Sequence, residues 1–264
     1  MRFAVVGGTG LIGSKVVKKL NEAGHEAVPH SKSTGVDVIT GEGLDRAAAG
    51  ADAIVDLTNS PTFDDASPTF FQRSTDNLLE AGRKAGVRHV VVLSIVGVDQ
   101  VPELDYYRAK TLQEEILAAG PLPYSIVRAT QFMEFVDSIM SWTADAGTVR
   151  LPTTPIQPIA AQDVADAVAA VAAGEPLQGI HNIAGPEVHP LDELGRITLA
   201  ARSDSRTVTT DDTAGMFAAV RGDVLTGRAD ASLAPTRYAD WLAAHRGEGA
   251  PPTPRPYRPA GDET

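Results

Sequence analysis

The chain has 264 residues, no cysteine and a formal net charge of −11. Disulfides and thiolate chemistry are therefore excluded, and so is the basic footprint that a nucleic-acid surface needs. With 43% hydrophobic but only 5% aromatic residues, the core has to be built from Ala, Val, Leu and Ile. The length suits one large α/β domain, alone or with a small appendage.

Residues 3–6 read as a first strand, followed by the glycine-rich stretch 7–13 and a helix carrying Leu11, Ile12, Val16, Val17 and Leu20 on one face, with Gly24 as its stop. A second strand is expected at 26–29, a short third at 36–39 and a helix at 43–49. Residues 53–57 form a short buried strand with a turn-rich exit, Thr58-Asn59-Ser60-Pro61. Ser67-Pro68 reads as an N-cap with proline at the first helical position of a helix running to Ala85, ended by Gly86. The run 89–93 is the most strongly β segment. A helix over 106–119, a strand at 124–127, an Ala/Val helix at 163–173, a strand at 179–183 and a helix at 191–201 follow. Beyond about residue 203 the periodicity weakens, and the proline-rich end, 246–264, reads as a disordered tail.

Strands alternating with helices at this spacing specify an α/β fold: a doubly wound parallel sheet of the Rossmann type. Ligands of such sheets lie beyond the C-terminal strand ends. The glycine turn and residues 57–60, 93–94 and 127–130 should converge there. The chain begins directly on a strand and has no apolar stretch of membrane-spanning length, so a cytoplasmic protein with no membrane partner is expected. The histidines show no metal-ligand spacing, so no metal site is expected.

A strand, then glycines, then a helix is the order a chain needs to hold a dinucleotide pyrophosphate. Gly7 permits the tight turn, Gly10 lets backbone approach phosphate, and Gly13 lets the helix pack on its strand. Thr9, Leu11 and Ile12 complete this part of the expected cofactor site. An NAD site usually places an acidic residue after the second strand, but this chain has Ser31-Lys32-Ser33 there. A lysine flanked by hydroxyls suits a 2′-phosphate, which favours NADP over NAD. Val38, Leu57, Thr58, Asn59, Lys110, Ala129 and Thr130 are the remaining expected cofactor contacts.

Tyr106 and Lys110 stand four residues apart, on one helical face, and Ser94 ends the best strand at the ligand edge. In Gly7, Gly10, Gly13, Ser94, Tyr106, Lys110 and the exit Val127-Arg128-Ala129-Thr130, residues 1 to about 200 resemble the short-chain dehydrogenase/reductase superfamily, most closely its atypical, NmrA-like branch. The resemblance implies that Tyr106 exchanges a proton with a substrate carbonyl oxygen, Lys110 favours the phenolate and binds the nicotinamide ribose, and Ser94 holds the oxygen as it gains charge. Two departures stand out. Phe71 falls near the place where typical members carry a relay asparagine, with Asn77 a turn and a half later, and Thr58-Asn59-Ser60-Pro61 replaces their usual strand exit.

Large apolar residues gather just past the strand exit, in Phe132, Met133, Phe135, Met140 and Trp142. With Gln131 they are expected to shape the pocket of a flat or greasy carbonyl compound such as a quinone. The expected organisation is a dinucleotide-binding domain over 1–200, with substrate-binding segments at 130–160 and 184–245. The leading expectation is an NADP-dependent oxidoreductase acting on a small molecule. A non-catalytic NADP-binding sensor and a nucleotide-sugar epimerase are the alternatives.

Overall fold

A computed structural model describes residues 1–62 and 64–245, so the expected tail, 246–264, lies outside the described residues. The first half alternates strand and helix: β1 (Arg2–Val6), α1 (Leu11–Glu22), β2 (Glu26–His30), α2 (Leu44–Ala48), β3 (Ala53–Asp56), α3 (Ser67–Ala85), β4 (His89–Ile95), α4 (Asp105–Ala119) and β5 (Tyr124–Ala129). There follow α5 (Val136–Trp142), β6 (Thr148–Leu151), β7 (Pro155–Ile156), α6 (Ala161–Ala173), β8 (Gly179–Ala184), β9 (His189–Pro190), α7 (Leu191–Ala201), β10 (Thr207–Thr210), β11 (Ser232–Leu233) and α8 (Tyr238–Ala244).

Seven strands form one parallel sheet in the order β2-β1-β3-β4-β5-β8-β11. Helices cover both faces, so the central strands read as continuous apolar runs rather than alternating ones. All four residues of β3 are buried. On one face Val16 and Leu20 of α1 and Val164 and Val168 of α6 pack on Val5, Val91 and Val127. On the other, Leu44, Leu78 and Leu117 from α2, α3 and α4 pack on Ala4, Ile54, Val90 and Ile126. A third cluster, with Met133, Leu151, Leu191, Phe217, Tyr238 and Trp241 among its members, joins the later elements beside the C-terminal strand ends. Residues 203–245, weakly patterned in sequence, supply β10, which pairs with β6, and β11, which extends the main sheet.

The expected third strand at 36–39 does not form: the main sheet ends at β2. Local hydrogen bonds take over its backbone. The Asp37 carboxylate accepts the Ile39 N–H at 2.8 Å, Asp37 N–H donates to Glu42 O at 2.9 Å, and Asn77 donates to the carbonyls of Val38 and Ile39 at 2.8 and 3.1 Å. Val36 and Val38 are still buried, so their apolar character reflects packing rather than strand pairing. A smaller difference lies at the start of α3, where Ser67 sits inside the helix. Its hydroxyl bonds Thr62 O at 2.8 Å and Ser60 Oγ at 3.1 Å instead of capping.

Candidate active site

A cavity of about 620 Å³ opens at the C-terminal ends of β1, β3, β4 and β5. Its floor is the glycine turn. Gly7 takes a left-handed φ of +77°, and its N–H and that of Gly8 donate to His30 O at 2.9 and 3.2 Å, which holds the turn against β2. A Cβ on Gly13 would lie 2.1 Å from Gly7 O, so α1 can begin this close to the turn only without a side chain there. Gly10 caps α1 with no side-chain hydrogen bond, and the first turn carries no acidic residue. The leading N–H groups and the positive end of the helix dipole therefore face the cavity without a competing carboxylate. This cradle fits a dinucleotide pyrophosphate.

Of the residues expected to contact a cofactor, Gly7, Gly10, Leu11, Ile12, Gly13, Leu57, Thr58, Asn59, Ala129 and Thr130 line the cavity; Thr9 is exposed and stands outside its wall. Ser31, Lys32, Ser33 and Val38 also lie outside the wall. Ser31 and Ser33 share a hydroxyl–hydroxyl bond of 2.8 Å. Lys32, 76% exposed, pairs with Asp37 at 3.3 Å. The Ile39 N–H, followed by Lys32, holds the Asp37 carboxyl below its usual range. Val38 is buried. Arg46 adds a second cation beside this loop, donating to Gly35 O at 3.3 Å.

Ser94, Tyr106 and Lys110 all reach the same cavity. Ser94, the penultimate residue of β4, is buried, and its Oγ has no hydrogen-bond partner among the described residues. The Tyr106 hydroxyl donates to Asn59 Oδ1. Burial, with a smaller contribution from Tyr107, pushes the Tyr106 phenol upward, so at neutral pH it is a proton donor.

Lys110 is 3% exposed. Its ammonium donates to Leu93 O at 2.7 Å and to Gln113 Oε1, and lies 4.7 Å from the centre of the Phe71 ring. Phe71 thus sits beneath the lysine, against its cation. Gln113 in turn donates to Asp56 Oδ2 at 3.0 Å, while Asp56 Oδ1 accepts from Thr58 N–H at 3.0 Å and Thr58 Oγ1 at 2.7 Å. Burial pushes Lys110 down to about 8, with Asp56 and Glu114 opposing the shift. Burial also raises Asp56, against the hydrogen bonds it accepts. Sequence reasoning missed Asp56 and Gln113. The available signals were a carboxylate closing an otherwise apolar strand and a glutamine one helical turn past the lysine.

The strand exit is anchored by buried charge. Arg128 meets Glu114 of α4 through Nη2 at 2.5 Å and Nε at 3.0 Å, and reaches Asp99 at 3.1 Å. Beyond it, the Glu134 carboxylate accepts the Ala161 N–H at 3.1 Å, tying the segment after β5 to the start of α6. Gln131, Phe132 and Phe135 line the cavity, whereas Met133 and Met140 point into the third core. Gln131 donates to the Tyr107 hydroxyl at 3.4 Å. Trp142 joins the wall, as do Ile139, Met216 and Phe217, which sequence reasoning did not assign. Met216 and Phe217 arrive on a 3-10 turn, Met216–Ala219, within the weakly patterned region.

A parallel sheet with a glycine cradle at its first crossover is the architecture of a dinucleotide-binding protein, and Ser94, Tyr106 and Lys110 lie on the same cavity. The chain belongs to the NAD(P)H-binding family, which it matches over residues 7–175, within the atypical, NmrA-like short-chain dehydrogenase/reductase superfamily. It is similar to the (4-alkanoyl-5-oxo-2,5-dihydrofuran-3-yl)methyl phosphate reductase of Streptomyces griseus, with 30% identity over 202 residues that cover 69% of this chain and 67% of the relative. Among solved structures, the NADPH-dependent quinone oxidoreductase of Escherichia coli, complexed with NADPH, superposes with a TM-score of 0.70 at 16% identity, covering 92% of this chain and 99% of that one. The UDP-N-acetylglucosamine 4-epimerase of Bacillus cereus gives 0.72 at 16% identity, covering 96% and 99%. At these identities the two structures establish the shared fold. Among the described residues, no helix is long and apolar enough to cross a membrane.

Proposed function

We propose that this chain is an NADP-dependent oxidoreductase that reduces a carbonyl or quinone-type small molecule at Ser94, Tyr106 and Lys110. The observation that carries the proposal is the meeting of these three side chains with the glycine cradle on one cavity, where the buried Ser94 hydroxyl has no partner among the described residues. A buried serine with no ligand to serve leaves a polar group unsatisfied, at a cost of about 1–3 kcal/mol. A substrate oxygen relieves that cost.

The glycine turn and the start of α1 hold the pyrophosphate, and Leu57, Thr58, Asn59, Ala129 and Thr130 border the rest of the cofactor. Lys32, with Ser31 and Ser33, holds the 2′-phosphate that distinguishes NADP, once Lys32 turns from Asp37. A bound reduced nicotinamide supplies the hydride. Tyr106 donates its phenolic proton to the carbonyl oxygen and recovers one from solvent, while Ser94 donates a hydrogen bond to that oxygen as charge develops. Lys110 keeps a positive charge beside the phenol, and Gln113 and Leu93 O fix where that charge sits. Gln131, Phe132 and Phe135, with Met216 and Phe217 from the 184–245 segment, enclose the substrate.

The reductase relative supports this reading over that of a sensor, which has no use for a buried proton-donating phenol. The test is NADPH consumption against a panel of quinones and aldehydes. Tyr106→Phe should lose about 100-fold or more in turnover while keeping its cofactor affinity. Full activity in that variant, or inactivity of the parent towards the whole panel, removes the proposal.

A further inference from the structure

We infer that the substrate chamber selects by charge and excludes anionic molecules. This inference rests on the reading of the cavity as a reductase site and goes on to define what enters it. Among the described residues lining the cavity, Lys110 alone carries an ionic charge. That ammonium is already engaged by Leu93 O, by Gln113 Oε1 and by the face of Phe71, and Lys110 is only 3% exposed, so little of its charge is offered to an entering anion. The outer wall is Phe132, Phe135, Ile139, Trp142, Met216 and Phe217, none of which can neutralise a phosphate, sulfonate or carboxylate.

An anion entering this wall loses its hydration and meets no counter-ion. Removing a charge from water without a partner is the most expensive form of burial a site can impose. The polar groups that do face the chamber are neutral. Besides Ser94, the buried Thr130 Oγ1 and Gln131 Oε1 have no hydrogen-bond partner among the described residues. Gln131 already bonds the Tyr107 hydroxyl at 3.4 Å, so its amide offers a second neutral anchor near the wall. The chamber therefore suits a largely apolar molecule with a carbonyl at Ser94 and Tyr106 and neutral polar groups elsewhere. Specificity built this way rejects a charged analogue more strongly than one differing by a methyl group.

The experiment compares naphthoquinone with a naphthoquinone sulfonate as substrates for the NADPH-loaded protein. The expected kcat/KM for the sulfonate is lower by about 100-fold or more. Met216→Lys, which places a cation in the chamber wall, should narrow that ratio at least about tenfold, the ratio being read within the variant whatever its rate with the neutral quinone. Comparable kcat/KM values for the two quinones, or a ratio unmoved by Met216→Lys, overturn the inference. If neither compound is reduced, the reductase reading fails separately, and calorimetric titration of the same pair into NADPH-loaded protein still reads the selectivity. Tighter binding of the neutral quinone then upholds the inference; equal binding, tighter sulfonate binding or no binding of either overturns it.

Discussion

Replacing Lys110 by Met removes a buried ammonium while keeping most of its stem, and its consequence for stability depends on pH in a direction the structure dictates. Burial brings the folded-state value of Lys110 from 10.5 to about 8. Between those two values the unfolded chain holds the proton and the folded chain does not, so wild-type stability rises with pH across that window. The displacement corresponds to about 3 kcal/mol. The variant lacks this titration. It also leaves Leu93 O and Gln113 Oε1 without their donor, a loss of about 1–3 kcal/mol each that does not vary with pH. The raised phenols of Tyr106 and Tyr107 are common to both proteins, so they largely cancel in the comparison. Urea unfolding of the cofactor-free proteins, followed by circular dichroism from about pH 7 to about pH 10.5, should therefore show the stability difference moving in favour of wild type by about 3 kcal/mol. A difference that stays constant over this range refutes the account of Lys110 as a buried, mostly desolvated cation.

Three further outcomes follow from the same geometry. With a neutral quinone, kcat/KM should hold steady below pH 8 and fall as pH rises past about 8, where Lys110 loses its charge, because the Tyr106 phenol stays protonated well beyond that point; an initial-rate pH profile checks this. Gly13→Ala, with its Cβ 2.1 Å from Gly7 O, should lower stability by about 1–3 kcal/mol and weaken NADPH binding at least about tenfold, read by thermal melting and calorimetry. Lys32→Glu should reverse the preference for NADPH over NADH, and Asp37→Asn, by releasing Lys32 from its 3.3 Å ion pair, should tighten NADPH; affinities for both cofactors measure the two effects.

Much of the molecule was legible in the chain because its code is local. The first strand, the glycines at 7, 10 and 13 and the helix behind them lie within about twenty residues, and each glycine answers a backbone demand that its immediate neighbours create. Tyr106 and Lys110 share a face because a helix brings every fourth residue round, and Ser94 sits at the ligand edge because a parallel sheet puts all its strand ends together. Tertiary packing decided the rest. Val36 and Val38 carry a strand's composition, yet Asn77 and Asp37 take up the backbone bonds of their segment and keep it out of the sheet. Asp56 meets Gln113 across 57 positions, and Met216 and Phe217 reach the wall from a stretch with no period of its own. Such contacts depend on where the folded layers bring distant residues, and hydrophobic periodicity describes only how one element turns about its own axis.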